Sequence, residues 1–308
     1  LVHARAGRHE LAVDQYRDAL AIKLRTLGKL HPSVLNTQSA NAVALANLQR
    51  FDEALVMQRE LVVARRQLHG PRSAKVSGAL NEVASVLQDA GRLEEAVATY
   101  QEALALDEQI SGRKSIDVAV RLNNLATALE DLGDPAAEAL YRESLLIRRA
   151  LLAPGDLSVA RVEHNLARWL VRAGLRGEAG PLLDSSGQTR RSKLPAAHNE
   201  AADADILSAE WPVTGGQLDA AEKLLAGLKA QEAALNPTRR ATLWRAQALL
   251  AHARGMMHRR TRHRRRTCIL RRSRRRQIDS KGRACSRLAH HGDMAVVQRH
   301  DTLYLCQT

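Results

Sequence analysis

The stretch Asn123-Asn124-Leu125-Ala126, followed by Gly133, decides the fold of this chain because it recurs on both sides. It appears 42 residues earlier as Asn81-Glu82-Val83-Ala84, which leads to Gly91, and 41 residues later as His164-Asn165-Leu166-Ala167. A period of this length is typical of helical repeat arrays, in which each unit packs mainly on its neighbours. The sequence therefore predicts a stack of similar helical units.

One position, which we call the turn residue, marks each unit. It is occupied by Gly7, Gln49, Gly91, Gly133, Gly174, Gly216 and Gly255. Glycine suits the place where a first helix must end in a left-handed residue and turn into a second helix. Gln49 is the exception, and we expect it to cost turn stability. Five residues after the turn residue most units carry an alanine, at Ala12, Ala54, Ala96, Ala179 and Ala221. Alanine there predicts a close crossing of the two helices.

The pattern resembles the tetratricopeptide repeat, in the 42-residue form found in kinesin light chains and many bacterial proteins. The resemblance rests on Leu125-Ala126 and Gly133 in one unit, and on Gly91, Tyr100 and Ala103-Leu104 in another. It implies an all-α fold, a right-handed α-solenoid (superhelix) of antiparallel two-helix repeats. It also implies a protein-interaction scaffold that binds a peptide or protein partner in its concave groove.

The chain divides into four segments that differ in how closely they match the repeat pattern. Residues 1–185 are predicted to form the repeat array, with a first repeat that is truncated at its N-terminus. Residues 186–200 read as a polar linker, and residues 201–255 as degenerate helical repeats. The repeat register stops at Gly255, so residues 256–308 are treated as a separate, Arg-rich tail.

The tail carries most of the net charge. It holds 14 Arg and one Lys against three Asp, which is +12 of the +14 for the whole chain. Three interpretations remain open: a shifted reading frame, a disordered basic extension, or a nucleic-acid segment at Arg259–Arg276 that contacts phosphates. That basic run lacks the aromatic residues that stack on bases. The three cysteines also lie in the tail, and their spacing fits neither a metal site nor a disulfide framework.

The resemblance places polar residues of each first helix on the inner face of the groove. The candidate peptide-contacting residues are Asn81, Asn123, Asn124, Thr127, Asp131, His164, Asn165, Arg168 and Arg172. Asparagine amides hydrogen-bond both the carbonyl and the amide of an extended peptide, and arginine pairs with carboxylates. Alternatively, the asparagines bond to neighbouring helices and hold the superhelix together. Tyrosines and Trp169 at helical spacing are predicted to lie in the core.

Other activities find little support in the sequence. It contains no phosphate-binding loop, dinucleotide fingerprint, metalloprotease motif or kinase catalytic loop, so we predict no catalytic, cofactor-binding or metal-ligating residues and no enzyme activity. No apolar run is long enough for a membrane span, and a cytoplasmic location is expected. Since similar bacterial arrays often follow a serine/threonine kinase domain, a second hypothesis is that this chain is the C-terminal regulatory or interaction region of such a kinase, with the catalytic domain before Leu1.

Overall fold

The computed structural model describes residues 9–194, 206–207, 218–230, 232, 235 and 240–255. The chain divides into two units, residues 1–246 and 247–308, and the helices that carry the repeats lie in the first. The Arg-rich tail, with its Arg259–Arg276 segment and the three cysteines, lies outside the described residues.

Helices account for almost all of the described residues, which include no strand. They are α1 (His9–Leu27), α2 (Pro32–Asn47), α3 (Phe51–His69), α4 (Ala74–Asp89), α5 (Leu93–Ser111), α6 (Ile116–Leu132), α7 (Ala137–Leu151), α8 (Leu157–Arg172), α9 (Arg176–Lys193) and α10 (Leu218–Lys229). From α1 to α9, each helix packs mainly on the helices that precede and follow it in the chain. None of the described helices is long and apolar enough to cross a bilayer.

The helices alternate between two roles. The first helices of the repeats are α2, α4, α6 and α8, and the second helices are α1, α3, α5, α7 and α9. The alanines predicted at the helix crossings are all buried, with at most 2% of their surface exposed. In the fourth repeat Ala137 takes this place, because the turn between Gly133 and α7 is one residue shorter.

The turn residues adopt the expected left-handed backbone. Gly91, Gly133 and Gly174 have φ of 74°, 81° and 78°. Gln49 has φ of 60°, in a region that side chains with a Cβ rarely occupy. The expected loss of turn stability at Gln49 therefore comes from backbone strain, because its Cβ disfavours the left-handed conformation.

Neighbouring second helices are joined by ion pairs between residues that lie 36 positions apart. These are Arg59–Glu95, Arg66–Glu102 and Arg142–Glu178, with N–O distances of 3.9, 2.7 and 2.6 Å. The side chains are about half exposed, so each pair contributes little stability. The pairs nevertheless show that the second helices follow one another in a constant register.

One part of the predicted linker is helical instead. Helix α9 (Arg176–Lys193) extends through residues 186–193, despite the polar sequence there. Ser186 is fully buried, and its Oγ donates to the carbonyl oxygen of Ala160 at 2.8 Å. Packing against α8 thus outweighs the weak helix propensity of serine and glycine. Residues 195–200 lie outside the described part of the chain.

Candidate peptide-binding face

Polar side chains connect the first helices of successive repeats in a first row of rungs. Each rung joins the residue ten positions before one turn residue to the residue nine positions before the next. The rungs are Ser39–Glu82 (Oγ–Oε2, 2.7 Å), Asn81–Asn124 (Oδ1–Nδ2, 2.7 Å) and Asn123–Asn165 (Oδ1–Nδ2, 3.0 Å). The same geometry therefore recurs at three consecutive junctions.

A second row of rungs lies seven residues further along the same helices. It joins the residue three positions before a turn residue to the residue two positions before the next. Gln88 Nε2 donates to Asp131 Oδ2 at 2.6 Å, and Arg172 Nη1 donates to Glu130 Oε1 at 2.7 Å. Seven residues are about two helical turns, so both rows lie on one face of the first helices. We call this surface the rung face.

The asparagines form one continuous hydrogen-bonded chain across three repeats. Asn123 Nδ2 also donates to Asn124 Oδ1 at 3.3 Å, which links the two asparagine rungs. Asn123 is buried, with 6% of its surface exposed, while Asn81, Asn124 and Asn165 are half-buried. Among the described residues, Asn81 Nδ2 and Asn165 Oδ1 make no hydrogen bond and remain available to a ligand. These asparagines therefore join neighbouring helices and also keep free amide atoms at both ends of the chain.

Glu130, which sequence reasoning missed, organises the far end of the rung face. Its side chain is only 3% exposed. It accepts hydrogen bonds from Arg168 Nε at 3.1 Å and Nη2 at 2.9 Å, from Arg172, and from Tyr141 Oη at 2.8 Å. Burial acts to raise the pKa of Glu130, but the hydrogen bond and charge of Arg168, with help from Tyr141 and Arg172, lower this pKa below its usual value.

The two arginines proposed for peptide carboxylates are thus already paired inside the protein. Arg168 is committed to Glu130 through two hydrogen bonds and is 30% exposed at its side chain. Arg172 makes one such bond and is 62% exposed. The sequence did carry a signal for Glu130, because it lies one helical turn after Thr127 and 42 residues before Arg172.

Thr127 and Asp131 take different positions. Thr127 Oγ1 donates to the carbonyl oxygen of Asn123 at 3.0 Å and lies 3.1 Å from Tyr141 Oη, so it contacts both helices of its repeat. Asp131 is exposed and belongs to the second row of rungs. Tyr100 and Tyr141 are buried at 3% and 0% exposure, in agreement with the predicted core role.

His164 does not join the rung face, contrary to the sequence prediction. It is 8% exposed, and its Nδ1 has no hydrogen-bond partner. Its expected rung partner nine positions before Gly216 is Leu207, which packs with Ala167 and Leu183 instead. Burial, together with the charges of Arg190 and Arg168, lowers the pKa of His164 to about 3. The row of polar rungs therefore ends where the next repeat supplies an apolar residue.

A shallow pocket of about 230 Å³ lies at the edge of the rung face, next to the turn between α6 and α7. It is lined by Glu130, Gly133, Asp134, Pro135, Trp169, Arg172 and Ala173. Trp169 is partly buried against the core and also contributes to this pocket, which the sequence did not predict. No group of three or more metal-ligating side chains occurs among the residues that the structure describes.

A family profile described as tetratricopeptide repeat matches residues 33–109 and again residues 75–137. These matches span α2 to α6 and contain both residues of the Ser39–Glu82 and Asn81–Asn124 rungs. The predicted all-α solenoid of antiparallel two-helix repeats is confirmed. No curated protein sequence matches the chain.

Several solved structures share the fold at low sequence identity. BtubC (BKLC) from P. vanneervenii is 17% identical, with a TM-score of 0.61 over 97% of this chain and 99% of its own. A Podosopora anserina protein described as a kinesin light chain with nearly identical TPR-like repeats is 22% identical, with a TM-score of 0.54 over 66% and 97%. A Rap protein complexed with Competence and Sporulation Factor is 14% identical, with a TM-score of 0.55 over 82% and 74%.

Proposed function

We propose that this protein, which matches the tetratricopeptide repeat profile within residues 33–137, is an interaction scaffold that binds an extended peptide of a partner protein along the rung face. The observation that carries the proposal is the asparagine chain Asn81–Asn124–Asn123–Asn165. It fixes four amides in place through their mutual hydrogen bonds, so they lose little freedom when a ligand arrives.

The free atoms at the ends of this chain define what is bound. Asn81 Nδ2 is a donor and suits a peptide carbonyl oxygen, whereas Asn165 Oδ1 is an acceptor and suits a peptide N–H. A main chain that crosses the first helices can satisfy both at once. Arg172, whose side chain is 62% exposed, adds a donor for a carboxylate of the peptide. The Rap protein, which shares this fold, is itself solved in complex with another molecule.

The test uses the full chain and a displayed library of random peptides. Peptides that the wild-type protein selects are measured by fluorescence anisotropy against Asn81→Ala and Asn165→Ala. Each variant should weaken binding about fivefold to tenfold, since a neutral hydrogen bond contributes about 1 kcal/mol. Gln101→Ala, which removes an exposed amide from the second helix α5, is the matched control and should leave affinity unchanged. Selection of no peptide, or equal affinity in all variants, would refute the proposal.

A further inference from the structure

The first helices carry a small, buried residue five positions before the turn residue, except in α8. The earlier helices have Ala44, Val86 and Ala128 at this position, each with at most 4% of its surface exposed. In α8 the position holds Trp169, which packs only partly into the core. An indole exceeds the space that an alanine or valine fills, so part of the ring stays at the surface. Its Nε1 donates to none of the described residues.

The turn that faces Trp169 also differs from the turns of the earlier repeats. In the second and third repeats an arginine follows the turn residue and pairs with a glutamate three residues later. After Gly133 the chain instead continues with Asp134 and Pro135. Asp134 Oδ1 accepts from the backbone N–H of Ala136 at 2.8 Å, which holds this short side chain at the start of α7. A Cβ at Gly133 would meet no atom within 4 Å apart from its chain neighbours, so the space beside this turn is open.

These two departures from the repeat meet in the pocket of about 230 Å³ at the edge of the rung face. Trp169 lines the pocket from α8, and residues 133–135 line it from the turn. Glu130 and Arg172, which form the charged rung at 2.7 Å, line it as well. Because these two residues belong to the second row of rungs, a peptide that lies along the rung face reaches the pocket.

The charges that line the pocket favour an uncharged occupant. Glu130 is 3% exposed and pairs with Arg172, and the Asp134 carboxylate also lines the pocket. A peptide carboxylate inside the pocket would therefore lie near two acidic groups, whereas a peptide ammonium or guanidinium group would lie near Arg172. Like charges brought together in this way cost binding free energy.

Among uncharged side chains, an aromatic ring gains most from these walls. Two aromatic rings in contact attract each other beyond the apolar area that they bury, and Trp169 supplies one of them. The donors of a guanidinium lie in its plane, so Arg172 can keep its bond to Glu130 and still stack on a ring. Such a contact between a cation and a ring adds affinity that an aliphatic side chain does not gain.

We propose that this pocket is a specificity site, which takes one aromatic side chain of the bound peptide between Trp169 and the turn at Gly133. The ring anchors the peptide at one end of the rung face and thereby fixes its position along the asparagine chain. This inference rests on the proposed peptide-binding function and adds to it the chemistry of one peptide side chain.

The experiment compares three peptide probes on the full-length protein by fluorescence anisotropy. All are fluorescein-labelled octapeptide pools with Ala, Ser, Gly and Asn at the variable positions. The fixed central residue is phenylalanine, cyclohexylalanine or alanine, and cyclohexylalanine keeps the apolar six-membered ring without its π-system. The phenylalanine pool should bind at least about fivefold more tightly than the cyclohexylalanine pool, because only phenylalanine gains the contacts to the indole and the guanidinium.

Two variants locate this preference. Trp169→Leu should abolish it by removing the indole. Ala173→Leu should reduce binding of the phenylalanine pool to that of the alanine pool, because the larger side chain fills the pocket from an exposed position and leaves Trp169 in place. Ala90→Leu is the matched control, since Ala90 ends α4 as Ala173 ends α8, with the same right-handed backbone. It should keep the preference.

The outcomes separate this inference from the function on which it rests. Equal binding of the phenylalanine and cyclohexylalanine pools, or a preference that survives Trp169→Leu or Ala173→Leu, overturns the aromatic site and leaves peptide binding in place. Failure of all three pools to bind the wild-type protein counts against peptide binding itself, and the site then falls with it.

Discussion

Arg172 and Glu130 lie 42 residues apart and meet in an ion pair with an Nη1–Oε1 distance of 2.7 Å. At the preceding junction the same two positions hold Asp131 and Gln88, joined by a hydrogen bond of 2.6 Å. The backbone relationship between successive first helices is therefore constant, while the chemistry of the rung varies. A junction can be neutral or charged without a change in how the repeats stack.

Replacement of Glu130 by glutamine should strongly destabilise the array. The substitution leaves Arg168, whose side chain is 30% exposed, without its buried counter-charge, and loss of hydrogen bonds between charged groups costs about 1.5–3 kcal/mol. Urea unfolding monitored by circular dichroism measures the difference. Glu60→Gln, at an exposed site, serves as control and should unfold like the wild type. A loss as small as that of the control would mean that the cluster is not buried in solution.

The stability of the array should fall as pH decreases from 7 to 5 because of His164. Its pKa in the folded state is about 3, whereas an unfolded histidine titrates near 6.5, so the unfolded chain takes up the proton first. Well above pH 6.5 the histidine is neutral in both states, and the free energy of unfolding does not depend on it. As the pH falls below 6.5 the free energy of unfolding decreases, by about 2 kcal/mol at pH 5. The pKa of Glu130 is below its usual value, so that carboxylate keeps its charge in this range.

His164→Leu should remove this part of the pH dependence, which urea unfolding at pH 7 and pH 5 can measure. His69→Leu, at an exposed position at the end of α3, should retain it. If both variants respond to pH as the wild type does, His164 is accessible to solvent and the burial argument fails.

Gln49→Gly should stabilise the protein. Gln49 has φ of 60°, and the three equivalent glycines adopt φ between 74° and 81°. Relief of the left-handed strain is worth about 1 kcal/mol. Thermal unfolding gives the measurement, and Gln49→Ala, which keeps the Cβ, should bring no comparable gain. Equal stabilities of the glycine and alanine variants would contradict the strain.

Ala96→Leu should overpack the crossing of α4 and α5. Ala96 is fully buried, and extra methyl groups in a tight core cost about 1–3 kcal/mol. Ala98, two residues further on the exposed side of α5, provides the control substitution Ala98→Leu. Both variants change helix propensity equally, so the difference between their urea unfolding midpoints measures the effect of packing alone. Retention of full stability by Ala96→Leu would mean that the helices are further apart than described.

The sequence predicted those features that each repeat determines within itself. The turn residue requires a left-handed backbone, and the crossing at Ala96 requires a small side chain, so both requirements are visible as glycine and alanine in most units. The partners of Arg168 and Arg172 depend instead on the register between two helices that are far apart in the chain. Because the sequence does not show that register, it predicted both arginines to be available for a peptide and gave Glu130 no role.

His164 illustrates the same limit at a weaker repeat. The position where a polar partner of His164 was expected holds Leu207, which is buried and belongs to a segment where the repeat pattern is hard to follow. The helical character of residues 186–193 likewise depends on packing against α8, including the contact of Ser186 with Ala160. Local composition favoured a linker there, because neither contact is visible in the order of residues.

The rungs also restrict how this protein can evolve. Gln88 pairs with Asp131, and Glu130 pairs with Arg172, so each repeat carries half of a contact that its own neighbour completes. A tandem duplication of the fourth repeat would place Glu130 of one copy against Asp131 of the next, and the two carboxylates would repel each other at that junction. The order of the repeats is thus encoded in the rung residues, and lengthening of the array is easiest beyond His164, where the encoding stops.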